Sequence, residues 1–92
     1  MSGMQVELLE IAGNLALAQV VGRRFPGLLI QGDTLKIMSV AARDLNAALA
    51  DGNEEVARDA LGEIGEAINF MIVEYERMMV NANRALPYES TL

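Results

Sequence analysis

The chain has 92 residues, 52% of them apolar but only four aromatic, and a formal net charge of −6. It contains no His and no Cys, so the commonest general base, the commonest transition-metal ligand and the thiol nucleophile are all absent. A disulfide framework and Cys-based zinc sites are excluded for the same reason. Nucleic acid and anionic membranes both call for the opposite sign of charge. A basic protein partner suits this chain. The composition therefore favours binding over catalysis, with no cofactor and no metal.

A chain this short is expected to form one domain over residues 1–92, burying roughly 60–65% of the surface its unfolded form exposes. A partner surface would add to so small a core. No apolar run approaches the ~20 residues that span a bilayer. No cationic segment followed by an apolar stretch opens the chain, so it does not read as secretory. Together these predict a cytoplasmic protein. Glu7, Glu10 and Asp33 balance Arg23, Arg24 and Lys36 in the first 36 residues, so the whole acidic excess lies further along.

Residues 5–31 read as a sheet region. Val6, Leu8 and Glu10 alternate with Glu7, Leu9 and Ile11, Ala12-Gly13-Asn14 is a turn signal, and Leu15 to Val20 is a second short apolar run. Alanine is a poor strand former, so one helix over 6–20 is the rival reading. After a loop at Gly22 to Arg24, Phe25 to Gln31 reads as a third strand. Pro26 stands near its start, where a missing N–H harms no ladder bond. Gly27 to Gly32 looks superficially like a phosphate loop. It lacks the lysine at the required place, and its apolar interior suits a strand better.

Asp33 or Thr34 can cap a helix over 34–50, whose inner stripe is Leu35, Met38, Ala41/Ala42, Leu45 and Ala48/Leu49. Lys36 sits in its first turn. Gly52 supplies a left-handed stop and Asn53 the next cap. A long helix is then predicted over 54–84, with a stripe through Ala57, Ile64, Met71, Tyr75 and Met78/Met79. A straight helix of that length would be ~46 Å long, against a radius of gyration of ~12 Å for a globule of this size. Either it bends near Gly62 and Gly65, or its C-terminal half overhangs. An overhang leaves Phe70, Ile72, Val73, Met78 and Met79 in need of a partner and predicts a homodimer. Pro87 ends the helix, and 87–92 is a tail. The expected fold is α+β: a small antiparallel sheet, a hairpin plus a third strand, packed against two antiparallel helices, the second long.

Three groups carry the candidate chemistry. Glu55, Asp59, Glu63 and Glu66 recur at spacings of four, four and three, so they share one helix face. They form either a ridge for a basic partner or an ordinary solvated face, with i,i+4 repulsion of ~0.2–0.5 kcal/mol per pair. Arg23 and Arg24 are either a partner or anion contact on a loop or solvated charges. Tyr88, in the tail, is either an aromatic anchor or unattached.

Arg23-Arg-Phe-Pro-Gly-Leu-Leu-Ile-Gln-Gly-Asp-Thr-Leu35, with Ala85-Leu-Pro-Tyr88, resembles a family of small bacterial proteins similar to the immunity proteins that accompany polymorphic toxins. The resemblance implies a cytosolic, non-enzymatic inhibitor that neutralises a cognate toxin, possessing no established site residues. The expected function is thus a protein-binding module of the immunity type, its partner a basic toxin domain. The alternatives are a homo-oligomeric regulator or sequestering protein holding a small anion or nucleotide near Arg23, Arg24 and Lys36, and a structural dimerisation module.

Overall fold

The computed structural model describes residues 5–89. The last three residues of the expected tail lie outside them. Three strands precede two helices: β1 Val6–Ala12, β2 Leu15–Val20, β3 Gly27–Ile30, α1 Gly32–Ala50 and α2 Glu54–Asn81. The sheet is antiparallel in the order β1-β2-β3. The fold is α+β as expected, and 6–20 is a hairpin rather than a helix. The chain gathers into two compact units, residues 31–71 and the remainder, and α2 contributes to both.

In the first unit, Ala12 and Leu15 flank a two-residue turn, Gly13-Asn14. Gly13 has φ +59° and Asn14 is not positive. Positive φ at the first central residue alone is the II′ pattern, which matches strand twist and favours Gly at that place. β2 is the central strand, and Leu15 through Ala18 are all buried. Leu17, Met78 and Met79 are fully buried. The last part of α2 therefore lies on the sheet and forms the core of this unit.

One irregularity decides which side chains face that helix. Leu8 pairs with Ala18, but Glu10 pairs with Leu17, so Leu9 is an extra residue in β1. Such a bulge shifts the alternation by one. Strict alternation puts Glu10 with Val6 and Leu8. The bulge moves it to the face of Leu17 and moves Ile11 to the opposite face. There Glu10 meets α2: its carboxylate accepts from Arg77 Nη1 at 2.9 Å and from Asn81 Nδ2 at 3.2 Å.

α2 ends at Asn81, three residues short of the expected end, and Pro87 does not end it. Asn83 takes φ +56°. Its N–H reaches the Val80 carbonyl at 3.0 Å, and the Arg84 N–H reaches that of Met79 at 2.9 Å. This Schellman closure satisfies the last carbonyls. Arg84 then donates to Gln19 Oε1 at 3.0 Å, and Gln19 Nε2 donates to the Arg23 carbonyl at 2.7 Å. Gln19 so links the β2–β3 loop to the end of the helix.

In the second unit, α1 begins at Gly32, with Gln31 at the cap position and no side-chain cap bond. Asp33 is thus inside the first turn, and its Oδ1 accepts from the Thr34 N–H at 2.9 Å. At the other end Gly52 has φ +72°, and the Asn53 N–H reaches the Ala48 carbonyl at 2.9 Å. Asn53 Oδ1 accepts from the Val56 N–H at 3.2 Å, capping α2. Three residues between helices make a helical hairpin. What it buries is mainly alanine: Ala41 and Ala48 from α1, Ala57 and Ala60 from α2. α2 runs unbroken through Gly62 and Gly65, and a Cβ at either would meet nothing within 4 Å.

Candidate protein-docking surfaces

The sheet has one face on α2 and one open. Register and the bulge place Val6, Leu8, Ile11, Ala16, Ala18, Val20 and Leu29 on the open side. None carries a charge or a hydrogen-bonding side chain. Ala16 and Ala18 are buried at its centre, while Val6, Leu8, Leu29 and Ile11 around them stay 48% to 66% exposed. Four side chains half exposed give an apolar patch on the order of 400 Å², the size of the largest patch on a typical monomeric protein, which is often a functional one. β1 and β3 are both edge strands. The bulge blunts the β1 edge, so the face rather than the edge is the surface on offer.

On the α2 side the polar groups are satisfied internally. Arg77 bridges Glu10 at 2.9 Å and Glu74 at 3.0 Å. The Glu10 carboxyl is held below its ordinary pKa, first by the Asn81 hydrogen bond and then by that from Arg77. The Tyr75 hydroxyl donates to the Pro26 carbonyl at 2.7 Å, and burial raises its pKa. No buried side-chain polar atom among the described residues lacks a partner. Among those residues no group of His, Cys, Asp or Glu is arranged to hold a metal ion. No helix among them is long and apolar enough to cross a membrane.

The candidate residues separate. Glu55, Asp59, Glu63 and Glu66 are all exposed on α2, in the helical unit. The nearest ion pair is Arg58 to Glu54 at 3.9 Å. Arg23 and Arg24 are exposed on the β2–β3 loop, in the sheet unit, with the Arg24 guanidinium 5.1 Å from the centre of the Phe25 ring. A cation over an aromatic face is a weak local attraction. It occupies one side of that guanidinium. Lys36 is exposed on α1, in the other unit.

Tyr88 is not unattached. Its hydroxyl donates to Glu76 at 2.9 Å, and its pKa is pushed up to about 12, by burial first and then by that carboxylate. Of the expected interface residues, Phe70, Ile72 and Val73 are exposed. Met78 and Met79 are core residues of their own chain, because the sheet covers this part of the helix. Leu8, Ile11 and Leu29 were not singled out by the sequence. Their exposure depends on the bulge and on which sheet face the helix takes, and neither is written in a periodicity.

No curated protein and no solved structure matches the chain. Residues 1–88 match a family described as a family of unknown function, DUF6959. That description names no activity and adds nothing to the likeness to immunity proteins. The match spans nearly the whole chain, both quoted segments included, and the chain belongs to this family.

Proposed function

We propose that this chain is a non-catalytic protein-binding module, and that it acts as an immunity-type inhibitor of a basic toxin domain. The observation that carries the reading is the open sheet face: seven apolar positions, none charged, with four of the five larger side chains half exposed. A face of this kind gains ~25 cal/mol for each Å² it removes from water, and it presents no polar group that docking would strand. Leu8, Ile11 and Leu29 are its anchors.

The acidic ridge has a different part. Exposed charges contribute little to affinity but raise the rate of encounter with an opposite charge. Glu55, Asp59, Glu63 and Glu66 would steer a basic partner. Arg23 and Arg24 would contact acidic positions on its rim. A pocket lined by Gln5, Val6, Glu7, Gln19 and Val21 includes a carboxylate, the wrong sign for a small anion.

The test is capture by tagged wild-type chain and by the variant Ile11→Lys/Leu29→Lys from the cytosol of the native cell, quantified by mass spectrometry. One basic protein bound near stoichiometry by the wild type and lost from the variant supports the reading. Equal recovery on both chains, or no stoichiometric protein on either, contradicts it.

A further inference from the structure

The helical hairpin is unfinished. Its fully screened positions are alanines, while Leu35, Leu49, Leu61 and Ile68 remain 45% to 64% exposed. None of the fully buried large side chains belongs to residues 31–71. Leu35, Met38, Ala42, Leu45 and Leu49 recur at intervals of three and four along α1, and Leu61, Gly65 and Ile68 at four and three along α2. Leu45, Leu49, Ala57 and Leu61 line one shared groove, so the two stripes open on the same side. Such a pattern is half of a four-helix bundle.

We infer that a second copy of this chain covers that face, hairpin against hairpin, to close a four-helix bundle. Three observations choose this occupant. The first is area. The hairpin face is ~28 Å long and two helices wide, ~560 Å² per copy, so two copies bury ~1,100 Å², enough for a specific interface. The second is charge. Two copies each carrying −6 repel unless they meet where the charge is absent. By helical spacing Glu55, Asp59, Glu63 and Glu66 lie on the far side of α2 from Ala57. The groove's rim carries Glu54 beside Arg58. A two-fold contact is self-complementary, and an acid beside a base on each rim lets unlike charges face each other. The third is Gly65, which sits between Leu61 and Ile68 on the open stripe with nothing within 4 Å of where its Cβ would be. A mid-helix glycine is unfavourable by ~1 kcal/mol relative to alanine. Among the described residues no close neighbour accounts for it. The close approach of a neighbouring helix backbone does.

The experiment is sedimentation equilibrium of the full chain and of its Gly65→Leu and Leu49→Glu variants. Wild-type chain is expected to be a dimer at micromolar concentration. Gly65→Leu has free space within its own chain, so its helix content is retained, but overpacking weakens the dimer roughly tenfold to hundredfold. Leu49→Glu weakens it as well. A wild-type chain that stays monomeric at ~100 µM overturns the inference, including the case where a different protein then fills the face. So does a dimer that neither variant disturbs.

Discussion

The Tyr75 hydroxyl donates a 2.7 Å hydrogen bond to the Pro26 carbonyl, from the last third of α2 to the residue before β3. Pro26 is buried, and so is Tyr75. One bond therefore closes the sheet under the helix across forty-nine residues of chain. Removing the donor strands a buried acceptor, worth ~1–3 kcal/mol. Tyr75→Phe keeps the ring packing and is expected to lose about that amount in urea unfolding. Because the folded-state pKa of Tyr75 is raised above its ordinary 10.0, its contribution is complete below pH 10 and is lost as pH rises past it. The wild type should lose stability in that alkaline range more steeply than Tyr75→Phe.

Glu10 titrates the other way. Its carboxyl is held below the ordinary 4.5 by Asn81 and Arg77. That contribution is present above pH 4.5 and is lost as pH falls through the lowered value. The stability gap between wild type and Glu10→Gln is expected to be widest near neutrality and to shrink in acid. Thermal melts of both chains from pH 7 to pH 3 check this. A gap independent of pH would mean that the Glu10–Arg77 pair is structurally idle.

Two glycines of the helical unit carry opposite predictions. Gly52 is left-handed, at φ +72°, where a Cβ is strained by ~1–2 kcal/mol. Gly52→Ala should lower the melting temperature, by roughly 4–8 °C per kcal/mol in a domain of this size. Gly62 is helical, with open space around it, so Gly62→Ala should add ~1 kcal/mol. Asn53→Ala removes the cap on Val56 and should lose ~1 kcal/mol.

The acidic ridge is expected to govern rate more than affinity. Reversal of Glu55, Asp59 and Glu63 to lysine should slow association with a basic partner and abolish much of its salt dependence, with dissociation little changed. Stopped-flow binding at two ionic strengths separates these. An association rate unmoved by the triple reversal would assign the ridge to solvation alone.

Local chemistry made most elements readable. Gly13-Asn14 and Gly52-Asn53 mark their turns because each needs a backbone that glycine takes freely. The stripe from Ala57 to Met79 marks α2 because one side of it is apolar throughout. Two things were not readable. The bulge at Leu9 leaves no composition signal, yet it exchanges Glu10 and Ile11 between faces and so creates the uncharged patch. Met78 and Met79 read equally well as core or as interface, since both demand an apolar helix face. The difference lies in where the sheet packs, a tertiary fact. The same holds for the glycines of α2, whose spacing suggested a kink and whose helix is continuous.

The open sheet face is tested most directly by the affinity of a captured partner for wild type and for Ile11→Lys/Leu29→Lys, with circular dichroism confirming an unchanged fold. Both side chains are more than half exposed, so the substitutions leave the core intact. Affinity at least tenfold weaker for the variant, about 1.4 kcal/mol, is the result expected. Equal affinity would show that the partner binds elsewhere and that the sheet face is not the docking surface.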